Sequence, residues 1–434
     1  MSAGRKRRVA MFVFNDGRHD QRVHKQAQAL GHAGYEVRVY CFLTPGLPFR
    51  EEREGYTLLR EDQRSHAARL FDDRLMAPLR KLAGSDKPAP PPPPELIDKL
   101  VLPPDRPPQR PCPRPSRRLR PEAAPGERAH WDYIARINRR WAQRAAEWLP
   151  DLVQAHDLDA LEAAVLLGER LRVPVLYDTH ELWSEQPFID SQESVAHWDA
   201  LEKRLIAGVT AVITINEPLA EILAGRYHLS NVLALHNCQQ SQPLPPRPAN
   251  PKPIALYQGA LVPHRGCEEL IAAAARLQHV RIAIRGFGSS EQALRQLDSE
   301  KRVLWWDAVP GPEVVRAAAQ ADIGLIPFLP TCLNHYLSTP NKLFEYMSAG
   351  LAIAGSDIPE VARFVTSYGL GRLFDPYSPS DIAEALDGLA LSGHLDEMKR
   401  RSRQACEQRW NWEREVEGYL DLIERMLARA DLGA

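Results

Sequence analysis

The alternation of short apolar segments with amphipathic segments is the feature that most constrains how this chain folds. Residues 9–14 form an apolar run with the length of a buried strand, and Val23, Ala27 and Leu30 then repeat at helical spacing. Residues 35–42 (YEVRVYCF) give a second strand, and the alternation resumes after residue 150. Alternating strands and helices are typical of a parallel α/β domain.

A second series of the same kind follows a proline-rich break. Residues 239–253 (QQSQPLPPRPANPKP) have the composition of an interdomain linker. Apolar runs then recur four times, at 254–261, 280–286, 302–306 and 322–328. A chain of 434 residues exceeds what one hydrophobic core supports. We predict two parallel α/β domains, with boundaries at 1–240 and 254–410, a linker at 241–253, and a C-terminal helix and tail at 411–434.

The alternation of predicted strands and helices is interrupted between the second strand and Trp131. Residues 86–126 include the runs KPAPPPPPE and PPDRPPQRPCPRPSRRLRP, in which prolines are too dense for a packed core. We interpret this segment as an extended or disordered insertion in the first domain.

Composition excludes several classes of function and location. Lys+Arg total 55 against Asp+Glu 56, a net charge of -1, so no basic field favours nucleic acid as a partner. Six cysteines without a C-x-x-C spacing fit a reducing compartment. The apolar run near the N-terminus is too short for a signal peptide. We expect a cytoplasmic protein.

One segment favours a peripheral location at the inner face of the membrane. Leu70, Phe71, Leu75 and Leu79 follow helical spacing among basic side chains, and residues 106–120 add further arginines. Acidic residues in the same segment oppose membrane contact. Packing of this helix on the first domain is an equally weighted interpretation.

Polar residues that follow the strands are the first candidates for a binding site, because ligands of open parallel sheets collect at the carboxyl ends of the strands. Each residue alone is weak evidence for a binding site, since polar residues at such positions more often cap helices. The residues at these positions are Asn15, Asp16, Gly17, His156, Asp157, His180, Glu181, Asn216, Asn237, Gly259 and Gly286.

The stretch STPNKLFEYMSAGLAIAGSD, residues 338–357, predicts a helix with two distinct faces. Leu343, Phe344 and Met347 lie on an apolar side, whereas Lys342 and Glu345 lie together on the other. An exposed Lys/Glu pair that adds only about 0.2–0.5 kcal/mol is the simplest explanation of that polar side.

The start of this helix offers a second explanation. With Thr339 as the N-cap and Pro340 at the first helical position, capping does not account for Glu345. The first N–H groups, the helix dipole and a lysine suit a diphosphate, and a carboxylate one turn away suits two ribose hydroxyls. The N–H groups in question belong to Asn341, Lys342 and Leu343. The residues alone leave a nucleotide site and a solvated surface helix equally weighted.

Several short motifs point to no cofactor. Gly286 and Gly288 in IRGFGSS lack the third glycine and the acidic residue of a dinucleotide fingerprint. Asp157 and Asp159 form a D-x-D spacing, but helix capping explains them better than metal binding. No H-E-x-x-H is present, so we predict no metal and no cofactor.

The order of several segments resembles glycosyltransferase family 4, whose members are retaining enzymes of the GT-B type. The segments are NDGRHDQRVHKQAQALGHAGYEV, AHDLDA, YDTHELW, ITINEPLAEIL, LHN, YQGALVPHRGCEELI, ADIGLIPF and PNKLFEYMSAGLAIAGSDIPEV. The resemblance implies two Rossmann-like parallel-sheet domains facing a cleft, the first on the acceptor side and the second holding an NDP-sugar donor. It implies sugar transfer to a glycan or lipid-linked acceptor, with retention and without a metal.

Individual residues take roles from this resemblance. Glu345 matches the family glutamate that holds the donor ribose, and Arg265 stands where the family has a lysine on the diphosphate. His180 matches the histidine that faces the transferred sugar, and together with Arg265 it is a predicted catalytic residue. The other predicted donor-binding residues are Lys342, Asn341, Gly259, Gly286 and Leu343. The predicted acceptor-side residues are Asp16, Gly17, Asp20 and Glu181.

Two positions depart from the family pattern. Ala260 replaces the usual arginine after the glycine of YQGAL, and Leu337 replaces the first glutamate of E-x7-E. These departures leave open a non-catalytic sugar-nucleotide-binding protein, which Arg265, Lys342 and Glu345 pointing away from a common cleft would favour. A sugar-nucleotide epimerase of the same architecture is a second alternative, and it would consume donor without any acceptor.

Overall fold

The computed structural model describes residues 5–62, 114–115 and 117–433, which form two sheets flanked by helices. The strands of the first sheet are β1 (Arg8–Val13), β2 (Glu36–Phe42), β3 (Arg50–Arg53), β4 (Tyr56–Glu61), β5 (Leu152–His156), β6 (Val175–Thr179), β7 (Ala211–Thr214) and β8 (Val232–Ala234). Their spatial order is β3-β4-β2-β1-β5-β6-β7-β8, and only the β3–β4 pair is antiparallel in this sheet as described.

The second sheet is parallel throughout the described residues. Its strands are β9 (Ile254–Gln258), β10 (Arg281–Arg285), β11 (Leu304–Trp306), β12 (Ile323–Ile326), β13 (Ala352–Ser356) and β14 (Gly371–Phe374). They lie in the order β11-β10-β9-β12-β13-β14. The predicted fold class, two Rossmann-like parallel-sheet domains, is confirmed.

Helices cover both faces of each sheet. In the first half of the chain they are α1 (Gln21–His32), α2 (Pro125–Ala146), α3 (Leu158–Leu171), α4 (Gln192–Leu205) and α5 (Glu217–Tyr227). In the second half they are α6 (Cys267–Ala274), α7 (Glu291–Leu297), α8 (Val314–Ala318), α9 (Leu333–Leu337), α10 (Asn341–Ser348), α11 (Pro359–Tyr368), α12 (Pro379–Leu391), α13 (Leu395–Gln408) and α14 (Trp412–Gly433). Covering both faces explains why the central strands are apolar along their length rather than alternating.

The last helix, α14, packs on the first domain. Tyr419 is fully buried in the same cluster as Met11 and Val23, and its hydroxyl donates to Gln154 Oε1 at 2.7 Å. The predicted C-terminal helix is therefore present, with bounds Trp412–Gly433. Its return to the first domain was not predicted, because an amphipathic pattern shows that one face is buried but not against which partner.

The proline-rich linker is held on the second domain by hydrogen bonds. The Arg247 guanidinium donates to the carbonyls of Ala349 and Gly350 at 3.0 and 2.8 Å, and Asn250 Nδ2 donates to Asp322 Oδ2 at 2.9 Å. The chain crosses between domains just before this segment, where the Trp412 N–H donates to the Gln239 carbonyl at 3.0 Å. The chain passes between the domains at Gln239 and returns at Trp412, and these two passages lie side by side.

The region between β2 and Trp131 differs from the prediction. Strands β3 and β4 form a hairpin that extends the first sheet. Helix α2 packs on this sheet through Trp141, whose ring contacts Phe12, Phe14 and Phe42. At the end of the predicted insertion, Arg120 pairs with Ser191, so this part is extended and docked on the first domain. Residues 86–113 of the insertion, the proposed membrane helix at 65–84 and most of the basic stretch after it lie outside the described residues.

No helix in the described part of the chain is long and apolar enough to cross a membrane.

Candidate functional site

A cleft of about 620 Å³ lies between the carboxyl ends of the two sheets. Eight of the twelve predicted site residues line it, and they come from both domains. From the first domain these are Asp20, His180 and Glu181, and from the second they are Gly259, Arg265, Asn341, Lys342 and Glu345.

The start of α10 is open toward the cleft. Pro340 is the N-cap, one residue later than predicted, and its position has no side-chain cap. The Thr339 hydroxyl instead donates to Glu360 Oε2 at 3.2 Å and accepts from Asn216 Nδ2 at 3.0 Å. Because Thr339 is used elsewhere, it does not block the helix terminus.

The first N–H groups of α10 are not equivalent. Within the described residues, the N–H groups of Asn341 and Lys342 have no hydrogen-bond acceptor, whereas the Leu343 N–H donates to the Pro340 carbonyl at 2.9 Å. The Leu343 side chain is fully buried in the core of the second domain. The prediction that Leu343 offers a free donor is therefore wrong, because the tight first turn of the helix uses its N–H.

Two cations lie beside this helix terminus. Arg265 stacks over the Phe328 ring at 4.7 Å, and Lys342 Nζ lies 5.8 Å from the same ring centroid and 5.0 Å from that of Tyr257. No carboxylate of the described residues forms an ion pair with either cation. Burial, followed by the nearby charge of Arg265, lowers the pKa of Lys342 to about 8. Two close unpaired cations favour a bound anion.

Glu345 lies one turn further along α10. Its Oε2 accepts from Gln258 Nε2 at 2.8 Å, and burial raises the pKa of its carboxyl. Its other oxygen is available to the cleft in the described structure. The arrangement provides an acceptor for hydroxyl groups next to the site for an anion.

Two carboxylates hold the imidazole of His180. Its Nδ1 lies 3.1 Å from Asp157 Oδ2, its Nε2 lies 3.6 Å from Asp178 Oδ2, and its backbone N–H donates to Asp157 Oδ1 at 2.9 Å. Burial alone lowers the pKa of His180, but the charges of Asp157 and Asp178 outweigh it and raise the pKa well above the usual value. His180 is thus a fixed cation whose two ring N–H groups face carboxylates.

A buried polar network supports this histidine from below. Asp178 accepts from Arg22 Nη2 and from Gln26 Nε2, both at 2.7 Å, and His156 Nδ1 lies 3.2 Å from Asp178 Oδ2. The donor atoms of His156, Asp178 and His180 lie within 4.8 Å of one another, a set that suits a metal. A guanidinium already occupies both oxygens of Asp178, however, so these groups fit a hydrogen-bond network better than a cation site.

Glu181 and Asp20, two of the predicted acceptor-side residues, line the cleft from the first domain. Burial, with the charge of Asp157, raises the pKa of Glu181 to about 7. Asp20 caps α1 by accepting from the Val23 N–H at 3.2 Å, and it accepts from Asn15 Nδ2 at 2.9 Å. Glu181 is therefore a proton-bearing group near neutral pH, whereas Asp20 is a structural carboxylate at the rim.

Four predicted residues do not line the cleft: Leu343, described above, and Asp16, Gly17 and Gly286. Asp16 accepts from Arg18 Nε at 2.7 Å and from the Thr44 hydroxyl at 3.0 Å, away from the cleft. Gly17 is buried in a turn at φ +68°, where a Cβ would lie 3.0 Å from a methyl carbon of Leu58. The structure brings residues 19–22 of this loop to the cleft instead.

Gly286 lies beneath the cleft floor. Its φ is +155°, and an added Cβ would lie 1.9 Å from the Gly259 carbonyl oxygen. Its role is therefore to let two loops of the second domain approach each other closely, so it contacts the site only through Gly259.

Sequence reasoning missed several side chains that line the cleft, among them Gln258, Arg285, Asn334 and His335. Asn334 exchanges hydrogen bonds with the backbone of Leu182 at 2.9 and 2.8 Å, which joins the two domains. Arg285 had a visible signal, because a charged residue ends an otherwise apolar strand. Asn334 had none, since its partner lies 152 residues away.

The two departures from the family pattern have different surroundings. Ala260 lines the cleft but carries no charge. Leu337, at the end of α9, packs against the core of the first domain, and its carbonyl accepts from Asn216 Nδ2 at 2.8 Å. Leu337 is therefore an interdomain contact rather than a polar site group.

Comparison with known proteins gives matches for both halves of the chain. Residues 19–237, just over half of the sequence, match the family described as Glycosyl transferase 4-like domain. Residues 252–391 match the family described as Glycosyl transferases group 1. No curated protein sequence matches the chain significantly.

Solved structures share the fold at low sequence identity. A sucrose-phosphate synthase from Thermosynechococcus elongatus is 15% identical with a TM-score of 0.69, over 98% of this chain and 100% of that chain. The lipopolysaccharide outer core galactosyltransferase WaaB, in its apo form, is 15% identical with a TM-score of 0.59, over 96% and 99%. Anabaena Alr3699/HepE in complex with UDP and glucose is 14% identical with a TM-score of 0.62, over 96% and 100%.

Proposed function

The chain belongs to the glycosyl transferase 4-like family, and from this premise we propose that it moves a sugar from an NDP-sugar to a glycan or lipid-linked acceptor, with retention. The observation that carries the proposal is the convergence of Arg265, Lys342 and Glu345 on one cleft beside an open helix terminus. A non-catalytic protein with a decayed site has no need to keep two unpaired cations there.

The donor diphosphate occupies the space between Arg265, Lys342 and the N–H groups at the start of α10. Glu345, held by Gln258, accepts the ribose hydroxyls. The binding of UDP by the structurally similar HepE supports a nucleotide donor here. The two cations supply the charge that a metal supplies in other transferases, so we propose a metal-independent reaction.

Departure of the nucleoside diphosphate drives the chemistry. As the bond between the anomeric carbon and the phosphate oxygen breaks, negative charge grows on the diphosphate. Arg265 and Lys342 stabilise this charge more in the transition state than in the bound donor. The acceptor hydroxyl attacks from the same face, and the leaving phosphate takes its proton, so the configuration is retained without a protein nucleophile.

The first domain positions the two reacting sugars. His180, fixed by Asp157 and Asp178, faces the transferred sugar and places its positive charge beside it. Glu181, with its pKa raised to about 7, is largely protonated below neutral pH and donates to the acceptor. Neither role requires these groups to form a covalent bond with substrate.

A panel of NDP-sugars, with and without cell-derived acceptors, tests the proposal through release of nucleoside diphosphate. Arg265→Ala should reduce turnover by the equivalent of about 2–4 kcal/mol, because charge-assisted contacts to the leaving group are lost. Glu345→Ala should raise KM for the donor. Arg295→Ala, which removes an exposed pair with Glu291 on α7, is the matched control and should leave turnover unchanged.

Acceptor dependence separates this proposal from the epimerase alternative. Release that needs an acceptor supports a transferase, whereas conversion of the NDP-sugar without nucleotide release supports an epimerase. Equal turnover by wild type, Arg265→Ala and Glu345→Ala would refute the assigned donor site.

A further inference from the structure

Arg285 is a buried cation at the donor end of the cleft that the proposed reaction does not use. It ends β10, is 6% exposed and lines the cleft. In the sheet it lies between Gln258 of β9 and Trp306 of β11, which are its register partners. These three side chains form a row across the carboxyl ends of three strands.

The guanidinium of Arg285 is poorly satisfied by the protein. Its Nη1 lies 3.4 Å from Gln258 Oε1, and its buried Nε has no hydrogen-bond partner. The Trp306 ring lies 4.8 Å from its central carbon. No carboxylate of the described residues pairs with it. A buried, rigid donor that lacks acceptors and lines a cleft is arranged to meet acceptors on a ligand.

Arg285 lies beyond the ribose position rather than beside the diphosphate position. Gln258 connects the two, because its Nε2 donates to Glu345 at 2.8 Å while its Oε1 faces Arg285. The order along the cleft is therefore Arg265 and Lys342, then Glu345, then Arg285. In a nucleoside diphosphate the group that follows the ribose is the base.

An exposed aromatic ring accompanies Arg285. Phe287 is 71% exposed, lines the cleft and is two residues further along the chain. Val309 and Val314 provide apolar surface at the same end. An aromatic face next to apolar side chains is a suitable platform for a flat base, since every base can stack on it.

We infer that Arg285 and Phe287 form a nucleobase site that selects bases with a carbonyl where adenine has its amino group, namely uracil, thymine or guanine, over adenine. This inference rests on the proposed function of the cleft as an NDP-sugar site. The guanidinium donates but cannot accept. It therefore pairs with a carbonyl oxygen, whereas the amino group of adenine presents a donor at that position.

The test is calorimetric binding of UDP, GDP, ADP and inorganic pyrophosphate to the full chain at one pH and one salt concentration. Four variants are compared with wild type: Arg285→Gln, Arg285→Lys, Phe287→Ala and the control Arg281→Gln. Arg281 is exposed at the other end of the same strand, so its replacement should change nothing. Circular dichroism establishes that each variant is folded.

Wild type should bind UDP or GDP at least about tenfold more tightly than ADP. Arg285→Gln should bring that ratio close to one, because an amide can donate to a carbonyl or accept from an amino group. Arg285→Lys only donates, as arginine does, but loses the planar fork, so it should keep a reduced preference. Pyrophosphate affinity should be unchanged in both. Phe287→Ala should weaken all three nucleotides alike, by about fivefold or more.

Three results would contradict the inference in distinguishable ways. If the nucleotides bind but both Arg285 variants keep the wild-type ratio, Arg285 is only a packing residue and the proposed function stands. A wild-type preference for ADP would also overturn the inference and leave the proposed function standing. If wild type binds neither nucleotide nor pyrophosphate, the proposed function fails and the base site fails with it.

Discussion

Lys342 shows at the scale of one residue how the fold prepares a charge for a ligand. It lies against two aromatic rings, near Arg265, and has no ion-pair partner among the described residues. These surroundings disfavour the ammonium and lower its pKa to about 8. A bound diphosphate favours the ammonium, so binding and protonation are coupled at this residue.

Nucleoside diphosphate affinity should therefore fall as the pH rises above about 8. Below that pH the free protein already carries the charge, whereas above it binding must recover a proton. Isothermal titration of UDP or GDP between pH 7 and 9.5 measures the effect. Lys342→Arg keeps its charge throughout this range and should remove the decline. The same decline in Lys342→Arg would contradict this assignment.

At the scale of elements, the short segment from α9 to α10 connects domain contact to the site. Leu337 packs against the first domain at the end of α9, and α10 begins four residues later with its N–H groups toward the cleft. The hydrogen bonds of Asn216 to the Leu337 carbonyl and to Thr339 fix this segment. The family glutamate absent at Leu337 is thus replaced by an interdomain contact.

Leu337→Glu should not restore a family-like site. A carboxylate placed against the apolar core of the first domain should lower the free energy of unfolding by about 1–3 kcal/mol. Sugar transfer should fall rather than rise, because α9 loses its contact. Urea unfolding and turnover measure both effects, with Leu337→Met as the volume-matched control. Higher turnover in Leu337→Glu would show that this position still faces the donor sugar.

The elements that sequence predicted are those whose signal is local. Parallel strands such as β9 and β12 are continuous apolar runs, and α10 has a clear apolar face. The start of α10 was misplaced by one residue because the Thr339 hydroxyl bonds Glu360, which is distant in sequence. The β3–β4 hairpin was missed because its first strand, REER, is charged at an exposed sheet edge.

The candidate site, like the fold, was predicted only where the signal is local. Residues with a family counterpart or a helix-terminus signal, such as Glu345 and Lys342, lie in the cleft. Residues whose function depends on another part of the chain were missed, including Asn334 and the support of His180 by Asp178. Gly17 shows the opposite error, because a turn glycine can serve the packing of its loop rather than a ligand.

At the scale of the whole molecule, His236 lies where the chain leaves the first domain. Its ring is buried among Phe344, Phe364 and Trp410. Nδ1 lies 3.2 Å from Glu415 of α14, and Nε2 lies 3.3 Å from Glu217 of α5. Arg409 and Arg363 pair with these two carboxylates in turn. This cluster joins both domains and the last helix.

The cluster predicts the pH dependence of stability. Burial alone lowers the pKa of His236, but Glu217 and Glu415 raise it above its usual value. The stabilisation from protonated His236 is therefore complete below its unfolded pKa of about 6.5 and is lost as the pH rises through its folded pKa. The pKa of Glu217 is lowered to about 2, chiefly by its close contact with His236. The stabilisation from ionised Glu217 is therefore lost only in acid.

Lys342 and His180 also have shifted pKa values in this range, so the contribution of His236 is measured as the difference in the free energy of unfolding between wild type and His236→Gln. In urea unfolding from pH 5.5 to 9 this difference should shrink above about pH 6.5. His236→Gln should be less stable at pH 6 and should show a smaller fall. His228→Gln, at the exposed end of α5, is the control and should behave like wild type. If the free energy of unfolding falls equally in wild type and His236→Gln, His236 does not cause the fall.

We propose above all that the second domain holds a nucleoside diphosphate at the start of α10. A crystal structure of the full chain with UDP or GDP tests it most directly. We expect the diphosphate within hydrogen-bond distance of Arg265, Lys342 and the Asn341 N–H, and the ribose hydroxyls at Glu345. A nucleotide bound elsewhere, or phosphates that contact neither cation, would contradict it.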